Sequence, residues 1–191
     1  MSGQTPSQTV GPFYAFGLIF PGQNTLTTDD PVGERILIRG QVIDGDGIPI
    51  NDAMIEIWQA DSQGIYNHPD DPRHERADEN FPGFGRSDTG NPALTYSFKT
   101  IKPGAVVWEG DQFQAPHISV RIFARGMLIH ALTRLYFSDE DANATDPVLN
   151  SIKDVARRQT LIARREDTPD LPTYRFDIHL QGDGETVFFN P

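Results

Sequence analysis

The stretch Ala115-Pro116-His117-Ile118-Ser119-Val120 decides how the rest of this chain is read. It opens an otherwise apolar strand expected to run from His117 to Ala124. In a strand, positions i and i+2 point to the same face, so His117 and Ser119 share one side. Two imidazoles at that spacing could hold one metal ion, whereas an imidazole and a neutral hydroxyl could do so only poorly. Read alone, a histidine on such a strand is a hydrogen-bonded core residue. Tyr66 lies upstream as a possible oxygen donor.

Working outward, further short strands are expected. Residues 35–43 form one, ended by the hairpin-turn signal Asp44-Gly45-Asp46-Gly47. Residues 53–59 form the next, with Ile55 and Ile57 on one face and Glu56 on the other. Others are expected at 95–100, 127–130, 133–137, 160–164, 174–180 and 186–189, with Ala124-Arg125-Gly126 turning the chain after the His117 strand. Residues 139–158 carry the only helix-like stretch. Its acidic start and basic end suit the helix dipole, with Pro147 starting or breaking it. Eight or nine short strands joined by Gly/Asp turns indicate an all-β chain, an antiparallel β-sandwich with long loops. Residues 1–33 lack periodicity and read as an extended N-terminal arm; residues 34–191 read as the domain. The polar loop at 60–93 is long enough to be functional or to pack on a partner.

Composition narrows the function. The chain has 191 residues, enough for one full core, and 17 Gly and 15 Pro scattered without period favour turns over long helices. It has no cysteine, which removes disulfide frameworks, thiolate metal sites and thiol enzymes. A net charge of −11 argues against nucleic acid as a partner, and it means an anionic substrate needs a well-placed arginine. The apolar run at 16–20 is too short to span a membrane, and no basic residue precedes it as in a signal peptide. A cytoplasmic location is expected.

Other candidate chemistry falls away. Asp44-Gly45-Asp46-Gly47 begins like a calcium loop, but Ile48 and Ile55 stand where ligands belong. Gly83-Phe84-Gly85 lacks the preceding strand and third glycine of a dinucleotide site. His68, Asp70, Asp71, His74 and Glu75 form a polar run broken by Pro69 and Pro72, which reads as solvated loop. No Gly-x-Ser-x-Gly elbow appears.

Several segments together resemble the intradiol ring-cleavage dioxygenases. They are Thr5 to Pro12, Ile55 to Asp61, Thr100-Ile101-Lys102-Pro103-Gly104 and Ala115 to Ser119. Phe123-Ala124-Arg125-Gly126, Asp146 to Asn150, Tyr174 to Ile178 and Gln181 to Phe189 look, more narrowly, like the alpha subunits of the two-chain members. The resemblance is weakest at 19–33 and 67–94.

The resemblance implies a β-sandwich paired with a related beta subunit in a hetero-oligomer. That partner holds a non-haem ferric ion through two tyrosines and two histidines. The corresponding positions here are Tyr66, Val106, His117 and Ser119, so two ligands are missing and this chain is expected to bind neither iron nor any other metal. The implied reaction inserts oxygen from O₂ between two hydroxylated carbons of a small aromatic substrate. The implied role of this chain is to wall the substrate pocket with Thr9, Gly11, Pro12 and Phe13 of the arm. Arg125 would pair with a ring carboxylate. The family has a tyrosine at the position of Phe13, which leaves Tyr14 as a possible substitute hydroxyl. Tyr66 and His117 are expected to hydrogen-bond each other across the vacated space. A self-sufficient dioxygenase and a non-catalytic assembly module are the rival readings.

Overall fold

The computed structural model describes residues 8–11, 13–166 and 168–190. The chain opens with a short helix, α1 (Tyr14–Leu18). The strands β1 (Arg35–Gly40), β2 (Val42–Ile43), β3 (Met54–Trp58), β4 (Phe84–Asp88) and β5 (Tyr96–Ile101) follow. Next come β6 (Val106–Val107), β7 (Phe113–Gln114), β8 (His117–Phe123) and β9 (Ala131–Phe137). Helices α2 (Pro147–Ser151) and α3 (Val155–Gln159) precede β10 (Ile162–Glu166), β11 (Thr173–Arg175) and β12 (Ile178–His179). Among the described residues, no helix is long and apolar enough to cross a membrane.

Eight strands form one sheet in the order β4-β3-β8-β9-β10-β11-β1-β5. Alternation of apolar residues drives it: Ile36 and Ile38, Ile55 and Ile57, and Ile118, Val120 and Ile122 all point inward. The sheet rolls until these side chains share one core with Phe98, Leu135, Phe137 and Tyr174. Its two edge strands come alongside each other, and Ser97 N–H donates to the Ser87 hydroxyl at 3.2 Å. The exposed edges are thereby nearly abolished.

The all-β expectation holds, and the detail differs from it. The sheet is mixed, because β1 pairs with β11 and β9 with β10 in parallel, as β2 does with β12 outside it. Strand β4 lies inside the stretch read as loop, paired along its whole length with β3. No strand forms at 127–130, where Leu128 and Ile129 are exposed. The helix-like stretch is a 3-10 turn (Asp141–Ala144), then α2 and α3, each restarted by its own cap. Asp146 caps α2 at Leu149 N–H and Asp154 caps α3 at Ala156 N–H. The turn at 44–47 forms as expected: Asp44 Oδ1 accepts from Asp46 and Ile48 N–H, which leaves that carboxylate committed to the backbone.

The arm is not wholly separate from the sheet. Thr25 bridges Lys99, Leu26 N–H donates to the Lys99 carbonyl at 2.8 Å, and Leu26 lies in the core.

Candidate functional site

Along β8 the inward residues build the core, so His117, Ser119, Arg121 and Phe123 share the outer face. Two neighbouring strands put their own outward residues beside them. Trp58 on β3 is opposite Ser119, Ser119 is opposite Arg134 on β9, and His117 is opposite Tyr136. The loop after β3 and the β6–β7 hairpin close over this row. Gly64 is essential there: its φ is +73°, and a Cβ would sit 1.9 Å from the Ala105 carbonyl oxygen. That close approach sets Tyr66 and Val106 into one cavity of about 490 Å³, with Trp58 and Trp108 also in its wall. A second cavity of about 480 Å³ shares Trp58 and contains Ser119 and Arg121.

The loop is organised by two carboxylates. Asp61 accepts from Gln63, Ile65 and Asp78 N–H, and Asp71 accepts from Tyr66 N–H, Arg73 N–H and the Arg73 guanidinium. Burial opposes ionisation of Asp71, but the Arg73 hydrogen bonds outweigh it and hold its pKa low. Within the polar run at 68–75 Asp71 is therefore scaffold, while His68, Asp70, His74 and Glu75 are exposed as expected of a solvated loop.

His117 is buried, with Nδ1 2.8 Å from the Ala115 carbonyl oxygen. A carbonyl only accepts, so Nδ1 carries the proton and Nε2 the lone pair. Burial first, then the charge of Arg134, push its pKa down to about 4, so the ring is neutral near pH 7. No hydrogen bond joins it to Tyr66, contrary to expectation. Tyr66 instead stacks on Trp58, with centroids 5.8 Å apart, while His117 packs against Tyr136 at 5.7 Å. Burial raises the Tyr66 pKa, against a pull from Arg134.

Asp146 clasps this region. It accepts from Ala115 N–H at 2.8 Å, Tyr136 hydroxyl at 3.1 Å and Leu149 N–H at 2.6 Å. Arg134 Nη1 donates to Gln114 Oε1 at 2.6 Å. Neither Arg134 nor Asp146 carries a spacing signal in the sequence that assigns it to this site.

This donor set does not fit a ferric ion. Val106 has no lone pair, Ser119 offers a neutral hydroxyl, and Arg134 brings positive charge. Among the described residues no cluster of three or more His, Asp or Glu side chains gathers to hold a metal.

The second candidate region lies farther along the same face. From Ser119 to Phe123 is about 13 Å of strand, at roughly 3.3 Å per residue. The chain then turns at Gly126, whose φ of +83° only glycine adopts freely. Gly126 N–H donates to Thr9 Oγ1 at 3.1 Å, which brings the arm to the Arg125 turn. Arg125 is 79% exposed, with Nε 2.9 Å from Asp52 Oδ2. Tyr14 hydroxyl donates to the Asp52 carbonyl at 2.5 Å, and its pKa is pushed up to about 12, first by burial and then by Asp52 and Asp88. The proton of that hydroxyl, the possible substitute for the one missing at Phe13, is thus already donated within the chain. Phe13 is 77% exposed, and the Gly11 carbonyl accepts from Tyr14 N–H. Pro12, the remaining arm residue of the expected site, lies outside the described residues.

Comparison with known proteins agrees with this architecture. The family model described as Dioxygenase matches residues 10–182. The protocatechuate 3,4-dioxygenase alpha chain of Pseudomonas putida is 45% identical, over 98% of this chain and 96% of its own length. The beta chain of the same enzyme from Burkholderia cepacia is 33% identical, over 84% of this chain and 70% of its own. Among solved structures, catechol 1,2-dioxygenase from Acinetobacter superposes with a TM-score of 0.63 at 20% identity. It covers 87% of this chain and 60% of that one, a likeness of fold. From sheet, site and sequence together, the chain belongs to the intradiol dioxygenase family.

Proposed function

We propose that this chain is the alpha-type subunit of a protocatechuate 3,4-dioxygenase, paired with a beta-type subunit that holds the non-haem ferric ion. The reaction is intradiol cleavage of protocatechuate by O₂ to 3-carboxy-cis,cis-muconate, a step of aromatic-compound catabolism in the beta-ketoadipate pathway, in the cytoplasm. The observation that carries this reading is the pocket around His117, whose donors do not suit iron, in a chain that is 45% identical to an alpha chain along nearly its whole length. Residues 1–33 serve as an arm to the domain at 34–191.

The chain's own work is positioning. Thr9, Gly11, Pro12 and Phe13 wall the substrate pocket, and Arg125 pairs with the ring carboxylate. Arg125 Nε lies 2.9 Å from Asp52 Oδ2, and a guanidinium can bind a carboxylate through two parallel hydrogen bonds. Such a pair orients the ring before oxygen attacks, and orientation lowers a barrier without any contact with the metal.

Co-expression with a beta-type chain, followed by iron analysis and oxygen uptake with protocatechuate, tests this. The pair is expected to contain iron and consume O₂, and the lone chain to do neither. Trimming residues 1–13 is expected to leave a folded domain but reduce turnover of the pair. A lone chain that is coloured and cleaves catechols establishes the self-sufficient enzyme instead. Failure to join any ring-cleaving complex favours the assembly module.

A further inference from the structure

The outer-face pocket lacks donors, yet it does not lack positive charge. Arg134 stands in one cross-strand row with Ser119 and Trp58. Its Nη1 donates to Gln114, the register partner of Val106, and lies 3.4 Å from the hydroxyl of Tyr136, the register partner of His117. Its charge also reaches Tyr66, where that of Asp71 opposes it. One guanidinium is thus tied to the surroundings of Tyr66, Val106, His117 and Ser119, the four positions that the resemblance matches to the partner's iron ligands. Among the described residues no salt bridge pairs it with a carboxylate, although the chain carries a net charge of −11 and Asp146 accepts from the same Tyr136 hydroxyl at 3.1 Å.

We propose that Arg134 is a resident cation that replaces a metal ion in this pocket and excludes metals by charge, independently of the two missing ligands. A guanidinium suits that role better than an ammonium. It does not lose its proton at any ordinary pH, so a metal cannot displace the proton and recruit the nitrogen, as it can with lysine. The repulsion grows with the metal's charge, and a ferric ion meets the most. Restoring the ligands alone therefore does not restore a metal site. If the chain is an alpha-type subunit, the same device directs iron to the partner during assembly; the exclusion itself does not depend on that reading.

The test compares two variants of the full chain, V106Y/S119H and V106Y/S119H/R134Q, with folding checked by circular dichroism. Zinc binding is measured by calorimetry, and iron retained after desalting by metal analysis and visible absorption. The triple variant is expected to bind zinc about 100-fold more tightly than the double, the scale of removing one close charge, and to retain iron that the double releases. Equal affinities, or no binding by either variant, overturn the proposal. If the restored ligands prevent folding, Arg134→Glu in the otherwise native chain serves. It is expected to bind zinc at least about 10-fold more tightly than the native chain, and affinity equal to the native chain's overturns the proposal. Neither arm measures ring cleavage, so failure here leaves the proposed function untouched.

Discussion

The pocket around His117 and the Arg125 turn lie on one face of one sheet, yet they are built oppositely. In the first, the imidazole, the Tyr136 hydroxyl and the Asp146 carboxylate are buried and bonded to one another or to backbone. In the second, Phe13, Phe16 and Arg125 are 77%, 81% and 79% exposed, and a few bonds tie the arm down. A site whose polar groups satisfy one another can stabilise the fold but offers little to a substrate. A site with apolar rings and a guanidinium facing outward adds little stability and has binding capacity left to use. Substitutions should therefore separate the two: the first region read in unfolding, the second in kinetics.

The largest effect is expected at the clasp. Asp146→Ala removes the acceptor for two backbone N–H groups and one phenol, all buried, and also deletes a helix cap. The cost is about 3–5 kcal/mol of stability in urea unfolding. A loss under about 1 kcal/mol breaks the contrast, since buried donors left unpaired cannot be that cheap.

His117 comes next, through pH. Its folded pKa of about 4 lies below the unfolded value of 6.5, so below 6.5 the unfolded chain takes up the proton first. The neutral ring's contribution is complete above pH 6.5, shrinks as pH falls, and is gone below about 4. It amounts to about 3 kcal/mol at 1.36 kcal/mol per unit. His117→Leu should flatten the slope of stability between pH 6.5 and 4. An unchanged slope assigns the acid sensitivity to other groups.

That contrast was only partly legible in the sequence. Alternation at 55–57, the Asp44–Gly47 turn and the shared face of His117 and Ser119 are local, and each appears as read. Strand β4 was hidden because Phe-Gly-Arg-Ser-Asp has a strand's burial pattern only when β3 lies beside it. Leu128 and Ile129 misled in the other direction, because an apolar pair signals a strand only if something in the same chain buries it. Parallel pairing leaves no periodic trace that distinguishes β1–β11 from an antiparallel ladder. Arg134 has no local sequence signal for the pocket, and of the bonds Asp146 accepts only the α2 cap is local. Their roles in the pocket exist only once β7, β8 and β9 are adjacent.

On the exposed side, Arg125→Ala in the assembled enzyme should raise KM for protocatechuate by about 10- to 150-fold relative to uncharged catechol. That corresponds to the roughly 1.5–3 kcal/mol of a charge-assisted pair. Unfolding should be almost unchanged, because Arg125 is 79% exposed and its pair with Asp52 is a surface one. Equal effects on both substrates remove Arg125 from carboxylate pairing and leave it as a partner of Asp52.

The smallest effect, and the sharpest test of how the arm is held, comes from Thr9→Val. The substitution keeps the side-chain shape and deletes the acceptor that meets Gly126 N–H. The freed N–H sits at an exposed turn and can bond water, so the stability cost should stay below about 0.5 kcal/mol. The kinetic effect should be larger than the thermodynamic one. Thr9 Oγ1 links the arm directly to the turn that carries Arg125, and under the proposed function slackening it would misplace both proposed pocket walls at once. A KM increase of about 2- to 5-fold, the scale of a lost exposed hydrogen bond of 0.5–1 kcal/mol, is expected with no shift in Tm. A Tm shift without a kinetic change would instead make the arm part of the fold, as Leu26 already is, and would erase the distinction between the two regions.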